Sequence, residues 1–459
     1  MLERPLREYA KVVAAQVREG ERGRRVDQRR FAARLAERTA ALERAGHAVA
    51  LAALDIDAPH VQINGERYAR VGRYPAPYKT AAGPVEVERS LYRRCGCSDG
   101  KTVNTVTLRS GAVADEWLPE TAQQMAHLLQ QGTSREAEQT ARRMGRLPYS
   151  RSSFERIGHA VGEQYTGQHH EVEEALIRSV AVPEAAVSVS LSLDRVSVPM
   201  EEPRPRPPGR PRKNAPKRPV SRTFRMAYCG TVTLHDAEGQ AMHTVRYGAM
   251  PESGPEALVT SMAGDVVALR EQRPDVAVMK LCDGAAEMWN LLDAALDEET
   301  FGRTHSLVDF WHLVEKLSPA ANVLYGDEAG ATVTRRWKAR LLNCNAAAAE
   351  ILDELMVSGR QHVRVGKNKP VHEAVTSLAN HRDRMRYAAA RRRGLPIGSG
   401  NVEATCKSLV AQRMKRAGSR WKTITGDHVL HLRALSLSDR WDDAMAITLR
   451  TPPVQVQVA

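Results

Sequence analysis

The sequence predicts an α/β fold: a mixed five-stranded sheet, split by a helical insertion and preceded by a helical N-terminal region. Three observations carry that expectation. Apolar runs with a period of two recur between about residues 187 and 309. Stretches with helical spacing lie between the later runs, as crossover connections require. A long helical and polar stretch from 313 to 395 then separates these strands from a last helical segment.

Taken in order, residues 1–60 read as a charged helical region, because they are rich in Ala, Arg, Glu and Leu with no proline between Pro5 and Pro59. Residues 61–115 read as a small β element. Its strand-like pieces are Val85–Tyr92 and Thr102–Leu108, joined by the turn-prone Ser98-Asp99-Gly100. Residues 116–180 turn helical again. Thr133–Met144 and a second helix starting near Ser150 flank a tight turn, the pattern of a helix-turn-helix and equally of a plain helical hairpin. In the first case Arg135, Arg142, Arg143 and Arg151 contact DNA.

Residues 181–312 form the first part of the predicted core. The run Val187–Leu193 puts valine and leucine on one face, so the acid that closes it, Asp194, points to the other. After an intervening loop come strands over Met226–Leu234 and Met242–Ala249, a helix over Pro255–Gln272, and the apolar run Val276–Cys282, which ends at Asp283. A helix from Ala285, a strand over Thr304–Asp309 and a helix from Trp311 complete the series. Three antiparallel strands followed by crossover-linked parallel ones is the topology of an RNase H-like core, in which the ends of the first and fourth strands are neighbours. Asp194 and Asp283 fall on those two strands. Residues 313–395 are the helical insertion, with basic clusters at Arg335-Arg336-Trp337-Lys338 and Arg391-Arg392-Arg393. Residues 396–448 return to the core and bring Glu403 on a helical stretch that includes Lys407, Val410 and Met414; residues 449–459 read as a disordered tail.

The loop at 203–222 is a different material. It holds eight basic residues, seven prolines and no acid, so it cannot build a core and is expected to be disordered. Arg204, Arg206, Arg210, Arg212, Lys213, Lys217 and Arg218 are its candidate DNA contacts. The centre, Gly209-Arg210-Pro211-Arg212-Lys213, is similar to an AT-hook that lies in the minor groove, and it also fits a solvated linker gripping phosphates.

Three carboxylates on one site suit phosphodiester chemistry. They can hold two Mg²⁺ or Mn²⁺ ions, which prefer oxygen ligands and serve both the attacking and the leaving oxygen. Most of the 54 Asp and Glu residues are expected to be solvated surface groups, so the expectation rests on Asp194, Asp283 and Glu403 as a set. A formal charge of +13 favours an anionic partner such as nucleic acid. With no apolar run of about 18 residues and no apolar core near Met1, the sequence predicts no membrane segment and a cytoplasmic, nucleoid-associated location. Six scattered cysteines fit a reducing compartment. Cys95-Gly96-Cys97 lacks the usual spacing of a structural zinc site and reads first as a hairpin turn carrying two thiols.

Several segments resemble the DDE transposases of bacterial insertion sequences, most of all the ISKra group, related to Mutator-type enzymes. They are Leu193–Met200, Cys282-Asp283-Gly284-Ala285 with Trp289, Val308-Asp309-Phe310-Trp311-His312, Gly398–Glu403, Arg413-Met414-Lys415 with Gly418 and Trp421, and Leu432-Arg433-Ala434 before Arg440-Trp441. The resemblance spans roughly residues 80–445. It implies Asp194, Asp283 and Glu403 as catalytic metal ligands and Asp309 with His312 as an auxiliary pair. For His312 a packed helix histidine is the equal alternative. It implies 3′-end cleavage and strand transfer at terminal inverted repeats, and at least a dimer on DNA, because two ends must meet. Trp311 stands where the family pattern has tyrosine, and the Cys95/Cys97 region departs from cysteine-rich relatives. A DNA-binding regulator without catalysis and a nuclease that cuts without joining are the rival expectations.

Overall fold

The computed structural model describes residues 2–23, 27–97, 99–201, 209 and 222–459. Two units emerge: Met1–Val172 together with Asp442–Ala459, and Glu173–Trp441. The basic residues Arg204, Arg206, Arg210, Arg212, Lys213, Lys217 and Arg218 lie outside the described residues.

The first unit opens with helices Glu3–Glu21 and Gln28–Ala52. The second of these starts where the Asp27 carboxylate accepts the Arg30 amide. An antiparallel sheet follows, built from β1 (His60–Ile63), β2 (Glu66–Thr80), β3 (Gly83–Arg94), β4 (Val103–Asn104) and, from the far end of the chain, β10 (Val456–Val458), in the order β10-β1-β2-β3-β4. β3 buries Val85 and Val87 against Leu51 and Tyr78 while Glu86 and Glu88 face solvent, the alternation of a sheet covered on one side.

Two expectations for this unit are corrected. Only Val103–Asn104 of the predicted strand Thr102–Leu108 is extended, and Thr105–Ser110 is a helix. The β-branched run loses to a cap: the Asn104 side chain accepts the Thr107 amide at 2.7 Å and is itself bonded by the Tyr78 hydroxyl. The tail predicted to be disordered instead places Val456–Val458 on the open edge of β1, with Val61 opposite Val458 and Ile63 opposite Val456. That edge offers unpaired backbone groups, and Val454 and Val456 pack on the cluster of Val61, Ile63 and Tyr92.

Helices Pro119–Gln131, Ser134–Met144 and Arg151–Gly167 follow in the first unit. Thr133 and Glu136 form a reciprocal cap at one start and Ser150 caps the other, while Gly145 ends the middle helix at φ 69°. Gly158 is required where it stands, since a Cβ there would come within 2.4 Å of Leu129.

The second unit contains the expected mixed five-stranded sheet: β5 (Ser188–Glu201), β6 (Arg222–His235), β7 (Ala241–Ala249), β8 (Ala277–Cys282) and β9 (His305–Val308), in the order β7-β6-β5-β8-β9. β5, β6 and β7 pair antiparallel; β8 runs parallel to β5 and β9 parallel to β8. Helix Glu256–Gln272 connects β7 to β8, and helix Ala286–Ala295 follows β8.

Both faces of this sheet are covered. The main core cluster takes in Val189 and Leu191 from one face and Leu281 from the other, together with Trp289 and with Leu313, Leu317, Trp337, Ile351 and Tyr387 of the later helices. The stretch after Leu313, expected to be polar, thus has a buried side, and a fully buried Leu or Ile contributes about 1.5–3 kcal/mol. A second cluster packs Val198, Met200, Ala227 and Cys229 against Val402, Leu409, Val410 and Leu430. No helix among the described residues is long and apolar enough to cross a membrane.

Candidate metal centre

The carboxyl end of β8 is the hub of the candidate site. The last paired residues of β5 and β8 are Leu191 and Lys280. Two residues further on, the Leu193 amide donates to the Cys282 thiol sulfur at 3.4 Å, so Asp194, midway along β5, and Asp283, just past the end of β8, lie at the same level. β9 closes the other side, where the Asp309 amide donates to the Cys282 carbonyl at 2.8 Å. Parallel strands end on the same side of a sheet, and the crevice beyond those ends is where open α/β sheets hold ligands.

Glu403 arrives from the opposite direction in sequence. It sits in the first turn of helix Gly400–Thr405, which runs into a wide turn with i→i+5 bonding over Cys406–Ala411. One turn after Glu403, the Cys406 thiol donates to Asp194 Oδ2 at 3.3 Å. On the other flank, Glu403 Oε1 lies 3.7 Å from His312 Nε2. Contacts thus tie Asp194 to Cys406 on one flank, and link Leu193, Cys282, Asp309, His312 and Glu403 in series on the other.

Among the described residues, one group of at least three possible ligands has its atoms within 4.8 Å of one another: Asp309, His312 and Glu403. Asp194 and Asp283, two of the three predicted ligands, are not part of that group. Proximity alone would make Asp309 a ligand, but its hydrogen bonding argues otherwise. Its Oδ1 accepts the amides of Trp311 at 2.6 Å and His312 at 2.9 Å, and its Oδ2 accepts the Ser399 amide and, at 2.7 Å, the Ser399 hydroxyl. A carboxylate offers about four lone-pair positions, and all four are used in a residue that is 1% exposed. Asp309 caps the helix Phe310–Tyr325 and ties it to the loop that carries Glu403.

The three predicted ligands differ in that respect. Asp194 accepts one bond on each oxygen, from the Arg195 amide at 2.6 Å and from Cys406. Asp283 accepts one, from the Ala285 amide at 2.9 Å, in a turn that Gly284 makes at φ 106°. No hydrogen bond from the described residues reaches the Glu403 carboxylate. Each of the three keeps oxygen lone pairs free for a cation, and Asp309 keeps none. This open oxygen set suits a hard divalent ion. His312 Nδ1 is buried without a hydrogen-bond partner, 3.8 Å from Asp309 Oδ1.

The surroundings are basic and aromatic. Arg195 pairs with Glu287, which also accepts the Tyr228 hydroxyl at 2.8 Å, so this guanidinium is engaged beside Asp194. His381 packs on Gly284, and burial first, then Arg384 and Lys316, push its pKa down. Burial also pushes the Cys282 thiol up to about 12, so it stays protonated between the strand ends. Trp311 is 54% exposed, with the Lys338 ammonium 4.7 Å from its ring centre. Of the basic cluster at 335–338, Trp337 is buried and donates to Glu354 at 2.7 Å.

In the first unit, Arg135, Arg142 and Arg143 lie exposed on the helix Ser134–Met144, whose Ala137 and Ala141 are buried, and Arg151 lies exposed at the start of the next helix. Cys95 and Cys97 are exposed free thiols. Sequence reasoning missed Cys406 and the role of Ser399. The second had a usable signal, a small polar residue between Gly398 and Gly400, whereas nothing local marks Cys406 as a partner of a residue 212 positions earlier. The chain matches no family model and no curated protein.

Proposed function

We propose that this protein is a DDE transposase with an RNase H-like core, which cleaves the 3′ ends of an insertion sequence and joins them to target DNA. The observation that carries the reading is the placing of the acids around Cys282 and Cys406: Asp194 on β5 and Asp283 just past β8 flank the Leu193–Cys282 contact, and the helix of Glu403 is tied to Asp194 through Cys406, each acid with free carboxylate oxygens. The strand order β7-β6-β5-β8-β9, with its antiparallel and parallel pairings, supports the same reading.

These carboxylates would hold two Mg²⁺ or Mn²⁺ ions, whose chemistry when bound is to activate an oxygen nucleophile and stabilise the leaving oxygen. Asp309 holds its helix start and Ser399 together, which fixes the distance from the sheet to Glu403. His312 faces Glu403 and offers a nitrogen at the rim of the site. Arg135, Arg142, Arg143 and Arg151 supply contacts for terminal inverted repeats if the helices that carry them act as a helix-turn-helix, and the loop at 203–222 adds charge that grips phosphates. Two element ends must be held together, so the working form on DNA is a dimer or larger, associated with the nucleoid.

The test uses a duplex carrying the element end, labelled at the cleaved strand, with a target plasmid and Mn²⁺. The proposal expects label on a shortened strand and then label joined to the plasmid. A shortened strand that is never joined points to a nuclease. Retention of the duplex without any cut points to a DNA-binding regulator.

A further inference from the structure

Asp194 is the candidate ligand whose two oxygens are each held by a single donor, and one of those donors is a thiol. Its Oδ1 takes the Arg195 amide, a bond built into the strand. Its Oδ2 takes Cys406 at 3.3 Å, a bond that crosses from the sheet to the helix carrying Glu403. Cys229 stands opposite Asp194 on β6, fully buried. Both cysteines belong to the apolar cluster of Val198, Met200, Val402 and Leu409.

We infer that Cys406 is a positioning residue, whose thiol orients the Asp194 carboxylate toward a divalent cation and couples its rotamer to the turn that carries Glu403. The inference rests on the proposed metal chemistry of Asp194. Two features support it beyond the single contact. The i→i+5 turn begins at Cys406, so the helix widens where the sulfur enters the sheet. A thiol is a weak donor, so it fixes an oxygen's direction while drawing little electron density away from a cation on the remaining lone pair.

Partners that orient a ligand from behind typically change metal affinity by 10–100-fold when removed. The experiment titrates the full chain with Mn²⁺ alone, following the signal of the free ion by electron paramagnetic resonance, so no cleavage assay is needed. C406A and C406V, two donorless variants of different volume, are expected to weaken binding by roughly tenfold. C406S restores a donor and is expected to bind within about threefold of the parent. D194N should weaken binding further still. If C406A and C406V bind Mn²⁺ like the parent, or C406S is as weak as they are, the positioning role is lost while the D194N result keeps the metal reading alive. Parent-like binding by D194N removes Asp194 from the metal centre and takes both down together.

Discussion

The two five-stranded sheets of this protein are built to different rules. In the first unit every pairing is antiparallel, β3 shows Glu86 and Glu88 to solvent, and among the described strands no two neighbours end on the same side. In the second unit the central strand is buried on both faces from Ser188 to Leu193, and β5, β8 and β9 run parallel. Parallel strands deliver their following loops to one edge, so acids that follow successive strands are brought to one side of the sheet. That is why Asp283 and Asp309 follow neighbouring strands beside Asp194 of β5, while Glu86 and Glu88 of the first sheet lie along a wet face. The contrast separates a sheet that concentrates chemistry from one that presents surface.

The sharpest way to break this contrast is D283N. Metal-assisted charge stabilisation is worth several kcal/mol, so cleavage of a labelled element end should fall on the order of a thousandfold or more. DNA retention in a gel shift should persist. Cleavage that survives would remove Asp283 from the centre.

D309A comes next, because it tests the count of lone pairs rather than the chemistry. Loss of a buried carboxylate that holds four donors should cost about 2–3 kcal/mol in chemical denaturation. A variant as stable as the parent but deficient in Mn²⁺ binding would mean that Asp309 is a ligand after all.

The smallest expected effect lies in the first sheet. Truncation after Pro453 removes β10 and the packing of Val454 and Val456, which should cost about 1–2 kcal/mol. Amide exchange should quicken along β1 and stay unchanged along β5. Faster exchange in both would show that the two sheets do not open separately.

Much of the second unit was legible because its strands are long and periodic: the Val187–Leu193 run, the pair around Asp236–Gly239 and the apolar stretch before Asp283 each carry their own signal. The failures have a common cause. Thr105–Leu108 is β-branched enough to read as strand, yet Asn104 caps it into a helix, and Tyr78, which bonds Asn104 from β2, is not visible from the run itself. Val456–Val458 is too short to declare itself, and only the edge of β1 makes it a strand. The site divides in the same way. Acids at strand ends could be read from position, but the saturation of Asp309 and the thiol behind Asp194 depend on partners 90 and 212 residues away.

The pairing of β10 with β1 also has a consequence in time. The Gln455 amide meets the Asn64 side chain across 391 positions of sequence. At a synthesis rate of roughly 5–20 residues per second, β1 waits on the order of 20–80 seconds on the ribosome before its second neighbour exists. Throughout that interval its outer edge is open to strands of other nascent chains, so polysomes crowded with this message are where mispairing would begin.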